Sequence, residues 1–206
     1  MKSVDNFELI GKYLEFKSKD DFYFLQIIKR PKENEGLKEG KGNRTRMIKT
    51  YYIKSHEHFM NIKDEVAKLC ELFNARAYIK MNYCDASKIA LQMLKQVSDY
   101  ILSDNVSGVK NAYNSCCGKF SGNDRNRKYW IIDFDGDEVN EIEKVSYIID
   151  YLCEPLNNEG KVVTLIPTKN GIHLLTKPFN VLRLQEHLPD FNREDIKKEA
   201  LTLLYM

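Results

Sequence analysis

Two apolar stretches, KVVTLIP (161–167) and GIHLLTK (171–177), are separated by only three residues, TKN. Both are rich in branched side chains and bounded by turn formers, so both read as strands. A parallel crossover needs a dozen or more residues. This link is far too short for one, so the pair is antiparallel. That single feature disfavours a purely parallel, doubly wound sheet for the chain.

The remaining elements follow from periodicity. DDFYFLQIIKR (20–30) and MIKTYYI (47–53) read as strands, antiparallel to each other across the polar, Gly- and Pro-containing loop PKENEGLKEGKGNRTR. That loop, taken over 31–45, is expected to be mobile and to meet nucleic acid. HFMNIKDEVAKLCELF (58–73) has helical spacing, and ARAYIKM (75–81) is a strand. DASKIALQMLKQVSDYILSDN (85–105) predicts a helix capped by Asp85, with Ile89, Leu91, Leu94, Val97 and Ile101 as its buried stripe. A shorter helix is expected over Val106–Cys117. KYWIIDF (128–134) predicts a central strand, and 138–154 an amphipathic helix. The tail DIKKEALTLLYM fits a strand or a helix. The order is that of an α+β protein with one mixed or antiparallel sheet and helices packed on it. We expect a single domain over 1–206. Residues 1–57 hold the first strand pair and the basic loop, and 58–206 form an α/β core.

No segment approaches the length of a membrane span, and MKSVDNFELI has no signal-peptide apolar block. The five cysteines are odd in number and lack CxxC spacing, which suits reduced thiols and a cytoplasmic protein. No cysteine pair lies near His56 and His58, so structural zinc is disfavoured.

Charge is segregated. From Lys29 to Lys54, nine Lys/Arg face three Glu, a local +6; Lys119, Arg125, Arg127 and Lys128 form a second basic stretch. Such stretches suit phosphates, with solvated loops as the plainer alternative. Arg44, Arg46, Lys119, Arg125, Arg127 and Lys128 are the candidate nucleic-acid contacts.

The chemistry centres on KYWIIDFDGDE. Residues two apart on a strand share a face, so Asp133 and Asp135 project together while Phe134 turns inward. Two adjacent carboxylates repel unless a cation lies between them, and oxygen ligands favour Mg2+ or Mn2+ over zinc. A solvent-facing acidic strand end is the structural alternative. An EF-hand loop fits poorly, because Gly136 falls at the fourth loop position and not the sixth. The second feature is PTKNGIHLLTKPF. Gly171 is expected to permit a tight turn with positive φ, and Thr168, Lys169 and Asn170 supply a hydroxyl, a cation and an amide that suit a triphosphate. His173 opens the strand that follows; a lone histidine there is alternatively structural. Arg76 and Lys80 lie four apart on one strand and so share a face that would reach the same cleft if their strand neighboured the DFD strand.

Together WIIDFD and PTKNGIH resemble two motifs of the archaeo-eukaryotic primase superfamily, which includes primase-polymerases. The resemblance covers roughly the last third of the chain. It implies an RRM-like sheet and a primase-like catalytic core, divalent metals (Mg2+ or Mn2+) on Asp133 and Asp135, and His173 on the incoming nucleotide's phosphates. It also implies a nucleoside triphosphate, a single-stranded nucleic-acid template, and replication or host proteins as partners. The family carries a third acid on a later strand; Asp195 and Asp190 are the candidates here, and Asp195 completes the catalytic set. FNARAYIKMN and LTKPFN also resemble stretches of bacteriophage proteins, which implies a host cytoplasm.

Two other readings remain. IIDFDGDE resembles the haloacid-dehalogenase motif, with Asp133 as nucleophile and Asp135 as general acid. That motif normally opens its domain, and its hydroxyl position is Asp137 here. Alternatively the fold binds nucleic acid or a nucleotide without turnover, with Tyr78, Tyr129 and Trp130 available for stacking.

Overall fold

The computed structural model describes residues 4–30, 45–156 and 160–206, without the side chains of residues 137–139. The expected 31–45 loop and Arg44 therefore lie almost wholly outside the described residues. Among those described, no helix is long and apolar enough to cross a membrane.

The expected single sheet is two. In the first, β2 (Arg46–Ile53), β1 (Asp21–Lys29), β3 (Arg76–Lys80) and β9 (Leu201–Tyr205) lie in that order, and the short β4 (Cys84–Asp85) pairs with β1. In the second the order is β6 (Val162–Pro167), β7 (Gly171–Thr176), β5 (Trp130–Asp135), β8 (Ile196–Lys197). Every ladder between these strands is antiparallel, so the α+β class stands and the mixed-sheet option does not. The ambiguous tail supplies one strand to each sheet. Its LTLLY run docks on β3, so the first strand pair is continued by later chain and not set apart.

Both sheets share one core. Leu25, Ile27 and Ile79 of the first sheet pack with Phe7 of α1 (Phe7–Gly11), Phe59 of α2 (His56–Asn61) and Val66 of α3 (Lys63–Phe73). Ile131, Ile166 and Leu175 of the second sheet join the same cluster. The expected helix over 58–73 thus breaks at Ile62. Ser55 caps its first part by accepting from the His58 N–H. The opposite face of the second sheet, with Ile132, Phe134 and Leu174, packs on α7 (Ile142–Tyr151) and α8 (Val181–His187). A 3-10 turn over Gly136–Glu141 replaces the first part of the expected 138–154 helix.

α4 (Ala86–Leu102) has the expected cap: the Asp85 carboxylate accepts from the Lys88 N–H at 2.8 Å. Its expected buried stripe holds at Ile89, with Val97 half-buried, and fails at the other three positions. Ile89 is its buried residue, facing Phe22, Phe24 and Cys116, whereas Leu91, Leu94 and Ile101 are exposed. The expected helix over 106–117 divides into α5 (Val106–Val109) and α6 (Ala112–Lys119). The five cysteines are free and buried.

Candidate functional site

A cleft of about 310 Å³ lies where β9, at the edge of the first sheet, meets the ends of β5 and β7 and the turn that joins β6 to β7. The alternation of β5 explains what enters it. Ile132 and Phe134 turn to the α7 side, while Ile131 faces the shared core and Asp133 and Asp135 project from that same face into the cleft. Asp133 is directly opposite His173 in the β5–β7 ladder, and Asp135 is opposite Gly171. The D-x-D pair and the TKNGIH segment, found separately in the sequence, are therefore cross-strand neighbours.

His173 ties the two sheets together. Its Nε2 lies 3.2 Å from a carboxylate oxygen of Asp133, and its Nδ1 is 2.8 Å from the hydroxyl of Thr202, a fully buried residue of β9. With Nε2–H donated to Asp133, a neutral ring accepts at Nδ1 from Thr202; a protonated ring donates at both. The Asp133 carboxyl sits below the usual carboxylate range. The His173 hydrogen bond is the main cause, and the charges of Lys197 and Arg30 help. The histidine is thus neither a plain core residue nor an open phosphate donor. To reach a phosphate, Nε2 must exchange Asp133 for the phosphate oxygen.

The turn also differs from expectation. Among the described glycines, positive φ belongs to Gly136 (55°) and not to Gly171. Gly171 is required for space: a Cβ there would lie 1.9 Å from the carbonyl oxygen of Phe134. The Gly171 N–H donates to the Thr168 hydroxyl at 3.1 Å. The Thr168 N–H donates to the Gly171 carbonyl at 3.0 Å, and the Gly136 N–H to the Asn170 carbonyl at 3.2 Å. These bonds fix the turn against the end of β5, with Thr168, Lys169 and Asn170 lining the cleft.

Cations enter from both sheets. Arg76 is there as expected, but β3 does not neighbour β5; Arg76 and Tyr78 line the cleft from the next strand past β9. Lys80 is not there. It is fully buried and donates to the carbonyls of Cys117 (3.0 Å) and Phe120 (2.7 Å), with Glu199 at 2.9 Å. The C-terminal end of α6 and Phe120 just after it close over that end of β3 and capture the amine. Arg30 and Lys197 line the cleft and were missed, as was the supporting Thr202. The guanidinium of Arg30 lies 4.9 Å from the centre of the Tyr78 ring. Lys197 has a readable signal in retrospect: it follows Asp195 by two residues in the strand that pairs with β5.

Asp195 ends a 3-10 turn (Arg193–Asp195) immediately before β8. The ladder pairs Ile131 with Lys197 and Ile132 with Ile196, so its next step would set Asp195 opposite Asp133. Its side chain lines a neighbouring hollow, together with Asp133, Asp190 and His187. Among the described residues, no group of three or more His, Cys, Asp or Glu could hold a metal ion. Asp133 and Asp135 remain as oxygen donors. Oxygen donors of this kind are the ones that Mg2+ and Mn2+ take.

Of the expected nucleic-acid contacts, Arg127 is excluded by burial. Its guanidinium bonds to Asp21 at 2.7 Å and to the Glu15 carbonyl, and it stacks on Tyr83 with 3.6 Å to the ring centre. Arg46, Lys119 and Arg125 are exposed. Lys128 is partly buried, 3.0 Å from Glu199. Arg125 and Lys128 line a groove of about 820 Å³ with Trp130, Lys177 and Lys198. Tyr129 is buried and unavailable for stacking. Compared with known proteins, the chain matches no family model, no curated protein and no solved structure.

Proposed function

We propose that the cleft is the nucleoside-triphosphate site of a metal-dependent nucleotidyltransferase, primase- or polymerase-like, that works on nucleic acid. One observation carries this reading: two same-face carboxylates, a histidine paired to one of them, and the cations Arg30, Arg76, Lys169 and Lys197 line a single cavity. Among the residues lining the cavity four cations stand beside two carboxylates, a lining that suits an anionic ligand such as a triphosphate. A divalent ion bound with that triphosphate would neutralise the leaving pyrophosphate and acidify the attacking hydroxyl. Asp133 and Asp135 would hold the ion, Lys169 and the fixed turn would orient the phosphates, and Arg76 and Arg30 would reach them from the other sheet. Thr202 restrains the ring of His173 at Nδ1, so that Nε2 stays at the cleft wall. A single-stranded template would run along the groove around Trp130, where Arg125 lines the wall and Lys198, now over the indole ring, and Lys177, now on the Asn126 carbonyl, would turn to its phosphates.

The test is extension of a labelled nucleotide on single-stranded DNA with Mn2+ or Mg2+, set against EDTA and Asp133→Asn. Product that requires the metal and Asp133 supports the reading. Template and nucleotide binding without any product supports the second reading, a non-catalytic module. A phosphatase reading has less support. Asp133 would have to surrender its His173 bond to act as nucleophile, and Asp135 is exposed at the strand end.

A further inference from the structure

α4 is apolar on two opposite faces. The inner face carries Ile89. The outer face carries Leu91, Leu94, Ile101 and Leu102, which are 53%, 61%, 59% and 85% exposed. Their spacing is helical, so they form one stripe and not scattered side chains. A helix of an ordinary soluble domain turns charged residues outward, and an exposed stripe of this kind marks an interaction surface.

We infer that this stripe is where a second copy of the chain docks, with the two α4 helices antiparallel about a two-fold axis at Val97. Charge pattern selects the occupant. Lys95 and Asp99 are exposed and lie together along one border of the stripe. In an antiparallel pair, matching borders face each other, as an isologous interface requires. Lys95 then meets Asp99 of the other copy, and Asp99 meets its Lys95. The midpoint of those two residues is position 97. The four apolar residues are centred on the same position, so one axis satisfies both sets: Leu91 meets Leu102 and Leu94 meets Ile101. A parallel pair would leave both charges facing the opposite border and has no such match. Ser98 lies in the middle of the stripe next to the axis, where a small side chain lets the helices approach. Its hydroxyl already bonds back to the Leu94 carbonyl at 3.0 Å and needs no partner across the interface.

Sedimentation velocity over a range of protein concentrations reads the assembly. The wild-type protein is expected to form a dimer. Leu94→Glu, on an exposed position, is expected to keep the fold by circular dichroism and weaken the dimer by at least about tenfold. Lys95→Asp and Asp99→Lys should each weaken it, and the double variant should restore it. Ser98→Cys should cross-link copies under mild oxidation. A protein that stays monomeric throughout would overturn the proposal. So would a dimer indifferent to Leu94→Glu, or a charge-reversed double variant no better than either single one.

Discussion

Two ionic clusters built from the same residue types behave in opposite ways. At one end of β3, Lys80, Glu199, Lys128 and Ser121 form a closed network. Lys80 holds two carbonyls and one carboxylate oxygen, while Lys128 and the Ser121 hydroxyl meet the other oxygen of Glu199 at 3.0 and 2.7 Å. Burial alone would push the Glu199 carboxyl up, but the charge of Lys80 and the bonds from Ser121, Lys80 and Lys128 hold it low. In the cleft, at the other end of the same strand, Arg76, Arg30, Lys169 and Lys197 surround Asp133 and Asp135 in a cavity open to solvent. In the first cluster two ammoniums share one carboxylate, and backbone carbonyls and a hydroxyl close the network within the protein. The second lines an open cavity with room for a ligand beside its charges. Charge in the first holds the fold, and charge in the second is placed for a ligand.

Lys80 is the sharpest way to break that contrast. Lys80→Ala leaves Glu199 and two carbonyls without their shared donor. Glu199 keeps Lys128 and Ser121, so the cost comes mainly from the two carbonyls left unsatisfied, roughly 1–3 kcal/mol each. For a chain of this size the melting temperature should fall by about 10 °C. A protein that melts normally and loses nucleotide affinity would move Lys80 into the site.

Asp133→Asn should do the reverse. Its carboxylate is 39% exposed and pairs with one histidine, so stability should change by about 1 kcal/mol or less. Metal-dependent activity should drop by about a hundredfold or more, because the residue would touch the bound ion. Calorimetry with Mn2+ and nucleotide, alongside thermal melting, separates the two effects. Equal Mn2+ binding by wild type and an Asp133→Asn, Asp135→Asn double variant would remove the metal site.

His173→Ala tests the residue that belongs to both behaviours. It strips the buried Thr202 hydroxyl of a partner, which costs about 1–3 kcal/mol unless water replaces the ring. It also removes a charge-assisted donor, so nucleotide affinity should fall about tenfold. A destabilised protein with unchanged nucleotide affinity would leave His173 as a strut between the sheets and favour a binding module over an enzyme.

Much of the cleft was legible in the sequence because its motifs are local. The D-x-D spacing sets two carboxylates on one face, and the three-residue link forces β6 and β7 antiparallel, which makes the His173–Asp133 register possible. What was not legible depends on non-local closure. Arg76 and Lys80 are equivalent by strand period, and only the end of α6 and Phe120 folding over one of them tells them apart. Arg30 and Lys197 come from opposite ends of the sequence, and Thr202 lies in a tail whose period was ambiguous. The outer stripe of α4 was read as core for a related reason. Periodicity finds an apolar face but cannot say which of two faces meets the sheet.

The smallest effect concerns acid. His173 holds the Asp133 carboxyl below its ordinary range in the folded protein, whereas the unfolded chain releases it to an ordinary value. A depressed carboxyl stabilises the fold at pH values above its unfolded pKa. That contribution is lost as pH falls through the folded pKa, where the carboxyl protonates in both states. Wild type should therefore be more stable than Asp133→Asn from neutral pH down to the ordinary carboxylate range, and the two should converge below it. Screening at a side chain 39% exposed keeps the difference under about 1 kcal/mol. Urea unfolding of both proteins across this range measures it. A gap that persists or widens in stronger acid would mean that the Asp133–His173 pair is not what lowers the carboxyl. Cleft and closed network would then differ less than their geometry suggests.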